Sequence, residues 1–201
     1  RRPGSRAIAR HDSAYEMLLL TARDAAERGD LAGLTLAGER AIALDPRRFE
    51  AYGGVGMLLA KSGSPASIAA AASFFERGML HFPASPVLAY NSGIILAIQG
   101  KPDLAIERFR QVLSVEPGHR QARENLAGML AESGRMDEAA AIYRQAIVAA
   151  PRDADLHVLL AQTLAALGRD DEARAELEAA LGIQPDHSQA RGLVATLPNR
   201  N

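Results

Sequence analysis

The chain of 201 residues carries 23 Lys and Arg against 24 Asp and Glu, a formal charge of -1, so it has no global basic field for neutralising nucleic-acid phosphates. At 48% hydrophobic and 4% aromatic, with neither Trp nor Cys, it has the apolar content of a folded helical protein and lacks any disulfide framework or thiolate chemistry. No apolar run approaches the roughly 20 residues that a membrane-spanning helix needs.

Residues 1–14 have loop-like character and read as an N-terminal extension. Beyond them two rulers run in step. Pro46, Pro83, Pro117, Pro151 and Pro185 are spaced by 37, 34, 34 and 34 residues. Gly29, Gly100, Gly134 and Gly168 each lie 17 residues before one of those prolines, whereas Gly63 lies 20 before Pro83. That difference marks a three-residue insertion near Ser64–Ser67.

The first predicted hairpin, 15–48, has Leu18, Ala22 and Ala25 on its first helix and Gly38 where the later hairpins carry an aromatic or other large residue. The second, 49–85, carries Tyr52, Gly56 and Leu59, then Ala71, Phe75 and Gly78. In the third, 86–119, the same places hold Ala89, Gly93, Leu96, Ala105, Phe109 and Val112. The fourth, 120–153, has Arg123, Ala127, Leu130, Ala139, Tyr143 and Ala146, and the fifth, 154–187, has His157, Ala161, Leu164, Ala173, Leu177 and Ala180. A closing helix follows from Ser188 to about Leu197, within a last segment 188–201. In each second helix the alanine leaves a notch and the larger side chain four residues on shares its face. The glycines predict left-handed turns between the two helices, and the prolines stop the second helix. A lone hairpin cannot bury its apolar face, so such units stack.

These features resemble the tetratricopeptide repeat, whose pattern W-x2-L-G-x2-Y, then A-x3-F, then P, recurs over about 34 residues. The resemblance implies an all-α, right-handed solenoid of five helical hairpins with a C-terminal capping helix. It also implies that first helices line a concave groove holding a protein or peptide partner. The groove residues so implied are Met57 and Lys61, then Tyr90, Asn91, Ile94 and Ile98, then Gln121, Glu124, Asn125 and Glu132, then Val158 and Gln162. Asn91 and Asn125 are expected to stand one above the other and to match the N–H and C=O groups of an extended peptide. Members that grip chaperone tails use a Lys and Arg clamp; Leu19, Arg23, Gly54, Val87 and Asn91 occupy those places, and a chaperone-tail role is rejected.

No enzyme signature is found, and neither a cofactor nor a metal site is expected. His11, His81, His119, His157 and His187 are scattered without metal-ligand spacing. Gly53-Gly54-Val55-Gly56 follows no strand and precedes no GK[ST], so close helix packing explains it better than phosphate binding. Asp137-Glu138 and Asp170-Asp171 recur at predicted helix starts and read as capping groups, while Asp103, Asp137 and Asp171 are also expected to complement the dipole of the helix that starts there.

Within the family, N-x-G at 91–93, the L-A-x-Q-G-K run at 96–101, F-R-Q-x-L at 109–113 and R-x-N-L-A at 123–127 resemble bacterial Tad (tight-adherence) pilus-assembly lipoproteins. That resemblance implies a pilotin-like periplasmic protein tethered to the outer membrane, helping an outer-membrane secretin subunit assemble, with an export segment and lipid anchor upstream of Arg1. A generic scaffold in the cytoplasm or periplasm stays open beside it. So does a different class, in which these repeats recruit substrates for a larger enzyme such as a glycosyltransferase or sulfotransferase.

Overall fold

The computed structural model describes residues 3–197, with side chains from Arg10 onward. Among the described residues there are eleven α-helices and no strand: α1 (Pro3–Glu27), α2 (Leu31–Leu44), α3 (Phe49–Ser62), α4 (Pro65–His81), α5 (Pro86–Ile98), α6 (Pro102–Val115), α7 (Arg120–Glu132), α8 (Met136–Ala149), α9 (Ala154–Ala166), α10 (Asp170–Ile183) and α11 (Ser188–Thr196). They fall into two compact units, Arg1–Val112 and Leu113–Asn201.

Turn chemistry sets the helix ends. Gly29, Gly63, Gly100, Gly134 and Gly168 separate the two helices of each hairpin with φ between 69° and 75°, where a residue with a Cβ would be strained. Each second helix stops two residues before its proline, because proline disfavours helical backbone at the residue ahead of it. The insertion near Ser64 lengthens α4 to 17 residues against 14 in α2, α6, α8 and α10. Ser64 caps that longer helix, accepting from the Ser67 N–H at 3.1 Å, with Pro65 in its first turn.

Residues 3–14 depart from the loop-like reading, since α1 is helical from Pro3, while residues 1–2 lie outside the described residues. Proline is compatible with a first helical turn, and only Gly4 interrupts the propensity before Gly29. The acids at 137–138 and 170–171 also need correction. The residues at the starts of α8 and α10 are Arg135 and Arg169, which make no side-chain cap; the acids lie in the first turn, where they complement the helix dipole.

In the first unit, Phe75 is fully buried against Gly56, where a Cβ would stand 2.5 Å from the ring. Gly93 makes the same close approach to Phe109, at 2.8 Å. The aromatic missing at Gly38 is supplied from the next hairpin. Phe74 and Val55 fill the space, each 2.7 Å from where a Cβ on Gly38 would lie. In the second unit the bulky first-helix position is polar. Arg123 is buried and donates from Nη2 to the Pro117 carbonyl at 3.1 Å, six residues back. Tyr52 in the first unit and Arg191 in the second donate in the same way to Pro46 and Pro185, at 3.1 and 2.9 Å. A hydrogen-bond donor that reaches the turn carbonyl thus serves this place whether it is a phenol or a guanidinium.

Candidate peptide-binding site

The predicted site residues lie on the first helices α3, α5, α7 and α9. In the first unit, Met57 and Ile98 are 51% and 61% exposed, Lys61 is exposed, and Tyr90, Asn91 and Ile94 are half-buried. The Tyr90 ring packs 5.9 Å from Phe109, which sets its direction. Asn91 Nδ2 donates to the Val87 carbonyl of its own helix at 2.8 Å, which takes up one of its two amide hydrogens. In the second unit, Gln121 and Glu132 are exposed, while Glu124, Asn125 and Gln162 are half-buried. Glu124 accepts from Arg120 Nε at 2.8 Å.

Val158 does not belong to this surface. It is 1% exposed, because α8, α10 and α11 all pack on α9 and enclose its apolar side chains. The paired asparagines fall in different compact units, Asn91 in the first and Asn125 in the second.

The first unit also holds a feature that the sequence reading passed over. A cleft of about 420 Å³ opens between α1 and α3. Leu19, Ala22, Val55 and Leu58 contribute its apolar lining, together with Met57, and Arg23 and Lys61 stand at it as cations. Gly53 and Gly54 border it from α3. The signal available in the sequence was the glycine pair itself. A Cβ on Gly53 would sit 2.5 Å from the Phe49 ring, whereas a Cβ on Gly54 would meet nothing within 4 Å. Close packing therefore accounts for Gly53 and Gly56 but not for Gly54.

The histidines have structural surroundings. His119 and His187 start α7 and α11, accepting through Nδ1 from the N–H groups of Ala122 and Ala190 at 3.2 and 3.3 Å. His157 Nδ1 lies 2.7 Å from Glu176 Oε2, His11 Nε2 lies 3.2 Å from the Leu44 carbonyl, and His81 stacks on Tyr52 at 5.5 Å. Asp155 joins three helix starts in the second unit, 2.9 Å from Arg120 Nη2 and 3.0 Å from His187 Nε2. Hydrogen bonding from Arg120, then from His187, holds its carboxyl below the usual carboxylate range. Among the described residues no group of three or more His, Cys, Asp or Glu is placed to hold a metal, and no helix is long and apolar enough to cross a membrane.

Two family profiles, both described as tetratricopeptide repeat, match residues 90–154 and 130–197, together more than half of the chain. The chain is a tetratricopeptide repeat protein. No curated protein sequence matches it. Solved structures of similar fold include the MamA protein, with a TM-score of 0.70 and 17% identity over 93% of this chain and 100% of that one. YrrB, described as a TPR protein with an unusual peptide-binding site, has a TM-score of 0.66 and 22% identity over 96% of this chain and 97% of its own. MamA from Desulfovibrio magneticus RS-1 has a TM-score of 0.58 and 20% identity over 73% and 81%. At these identities the likeness establishes the tetratricopeptide solenoid fold.

Proposed function

We propose that this tetratricopeptide chain is a non-enzymatic scaffold that holds a peptide segment of a partner protein against its first helices. The observation that carries the reading is in the first unit, where Met57 on α3 and Ile98 on α5 stand uncovered and a cleft with an apolar lining, Met57 at its border, opens between α1 and α3. Exposure alone does not select this side, since Leu80 and Val148 on second helices are 81% and 83% exposed. Leu80 too borders a hollow, of about 370 Å³, but Glu76, Arg108 and Gln111 line much of it, whereas the cleft on the first-helix side is lined chiefly by apolar side chains, and an extended peptide gains affinity by burying alternate side chains in such places. The frame around it is well satisfied: among the described residues no buried side-chain nitrogen or oxygen lacks a hydrogen-bond partner.

The test is a selection of peptides from a displayed random library against the whole chain, followed by Ile98→Glu. Ile98 is exposed and outside the cleft lining, so the melting temperature is expected to stay within a few degrees. Affinity for the selected peptides is expected to fall more than tenfold, or about 1.4 kcal/mol. Unchanged affinity would remove the α5 face from the binding surface.

The finer reading takes the partner to be an outer-membrane secretin subunit of a bacterial pilus machine, with a lipid anchor upstream of Arg1. It is supported by the motifs of the central repeats, from Asn91 to Ala127. An upstream coding sequence without an export segment and lipid-attachment cysteine would remove it and leave the general scaffold.

A further inference from the structure

The Gly53-Gly54-Val55-Gly56 run places three glycines in a 14-residue helix, where each is destabilising by up to about 1 kcal/mol relative to alanine. Two of the three are explained by rings that occupy the space of a Cβ, Phe49 at Gly53 and Phe75 at Gly56. Gly54 is exposed with open space around it, and it borders the 420 Å³ cleft. What the missing side chain provides there is room and a bare stretch of helix backbone, which lets another chain approach closely.

Two cations and one acid border the cleft, and only the cations are unpaired. Arg23 and Lys61 border both this cleft and an adjoining hollow of about 510 Å³, and neither makes an ion pair or hydrogen bond within the described residues. The nearby acids are mostly engaged elsewhere. Glu50, which also lines the cleft, lies 3.8 Å from Arg48, and Asp30 caps α2 by accepting from the Gly33 N–H at 2.8 Å. Glu27 lines only the adjoining hollow.

We infer that the cleft at Gly54 seats one bulky apolar side chain of an extended peptide, and that acidic residues flanking that side chain meet Arg23 and Lys61. The inference deepens the proposed function and rests on the first-helix side being the binding side. It names the partner's chemistry, an acidic linear segment with an apolar anchor. Leu19, Ala22, Val55 and Leu58 supply the apolar contact. The two cations supply the sign of charge that the anchor's neighbours must carry and a dependence on ionic strength.

The peptides selected against the whole chain are expected to be enriched in a Leu, Met or Phe flanked by Asp or Glu. Fluorescence anisotropy of one such labelled peptide is expected to show weaker binding as salt rises. Gly54→Phe is expected to weaken it at least tenfold, and Arg23→Glu with Lys61→Glu at least fivefold. Gly54→Phe should leave the circular-dichroism melt intact, because no atom stands within 4 Å of its Cβ and the helix loses a glycine. If that variant misfolds, the charge-reversed pair of exposed residues carries the test alone. Selected peptides that are neutral or basic, or an affinity indifferent to the charge reversal, would overturn the inference. Dimerisation of the chain that Gly54→Phe abolishes would overturn it too, the occupant then being a second copy. Loss on Ile98→Glu without loss at Gly54 or the two cations would reject the cleft and keep the face; no loss at any of them would reject both.

Discussion

Phe75→Ala is expected to lower the unfolding free energy by about 3–5 kcal/mol, the largest loss foreseen for any single substitution considered. Phe75 is fully buried, and the space beside it is Gly56, whose lack of a side chain leaves nothing there to relax into the cavity. The loss should be read from urea unfolding followed by circular dichroism. A double-mutant cycle sharpens it. Gly56→Ala alone forces a methyl to within 2.5 Å of the ring and is expected to cost about 1–3 kcal/mol by overpacking. In the Phe75→Ala background the same methyl enters vacant space, so its cost should vanish or reverse. Additive losses would show that the notch and the ring are not packed on each other.

Tyr15→Phe is the second large effect, expected at about 1–3 kcal/mol for one oxygen atom. The first turn of α3 has no side-chain cap of its own, since the preceding residue is Arg48. The Tyr15 hydroxyl of α1 fills that need by accepting from the Ala51 N–H at 3.1 Å, and it reaches the Arg48 carbonyl at 3.5 Å. Phenylalanine keeps the ring and its contact with the Arg48 guanidinium, 3.9 Å above it, but leaves a buried donor without a partner. Burial pushes the Tyr15 phenol up to about 12 from an ordinary value of 10.0. Because the folded pKa is raised, the neutral phenol contributes stability that is full below pH 10 and is lost as pH rises through about 12. The wild type should therefore lose more stability between those two values than Tyr15→Phe does. Equal stability of the two proteins at neutral pH would contradict the trans-capping role.

Much of the fold was legible because its punctuation is chemical. A glycine that must take positive φ and a proline that cannot extend a helix recur at fixed spacing, and each fixes an end to within a residue or two. The small-large pattern at Gly56 and Phe75, or at Gly93 and Phe109, was readable for the same reason: two helices that approach closely need one side to be empty. Gly38 was harder, because the ring that replaces its missing aromatic, Phe74, comes from a different hairpin. Arg123 broke the expected apolar pattern, yet it does what Tyr52 does, through a hydrogen bond that hydrophobicity does not register. Histidine caps at His119 and His187 escaped notice since Ser, Thr, Asp and Asn lead at such positions. For the candidate site the sequence placed Met57, Lys61 and Ile98 on exposed helix faces but misjudged Val158, whose burial depends on three other helices. It also read Gly54 as packing, because an empty Cβ position and a filled one look alike until the neighbours are known.

The central claim is that a partner peptide lies on the first-helix side, and backbone amide chemical-shift mapping with a selected peptide tests it most directly. The perturbed amides are expected on α3 and α5, around Gly54, Met57, Lys61, Ile94 and Ile98, and on the α1 segment around Arg23 that borders the cleft. Perturbations confined to the second helices, around Leu80 of α4 or Val148 of α8, would contradict it.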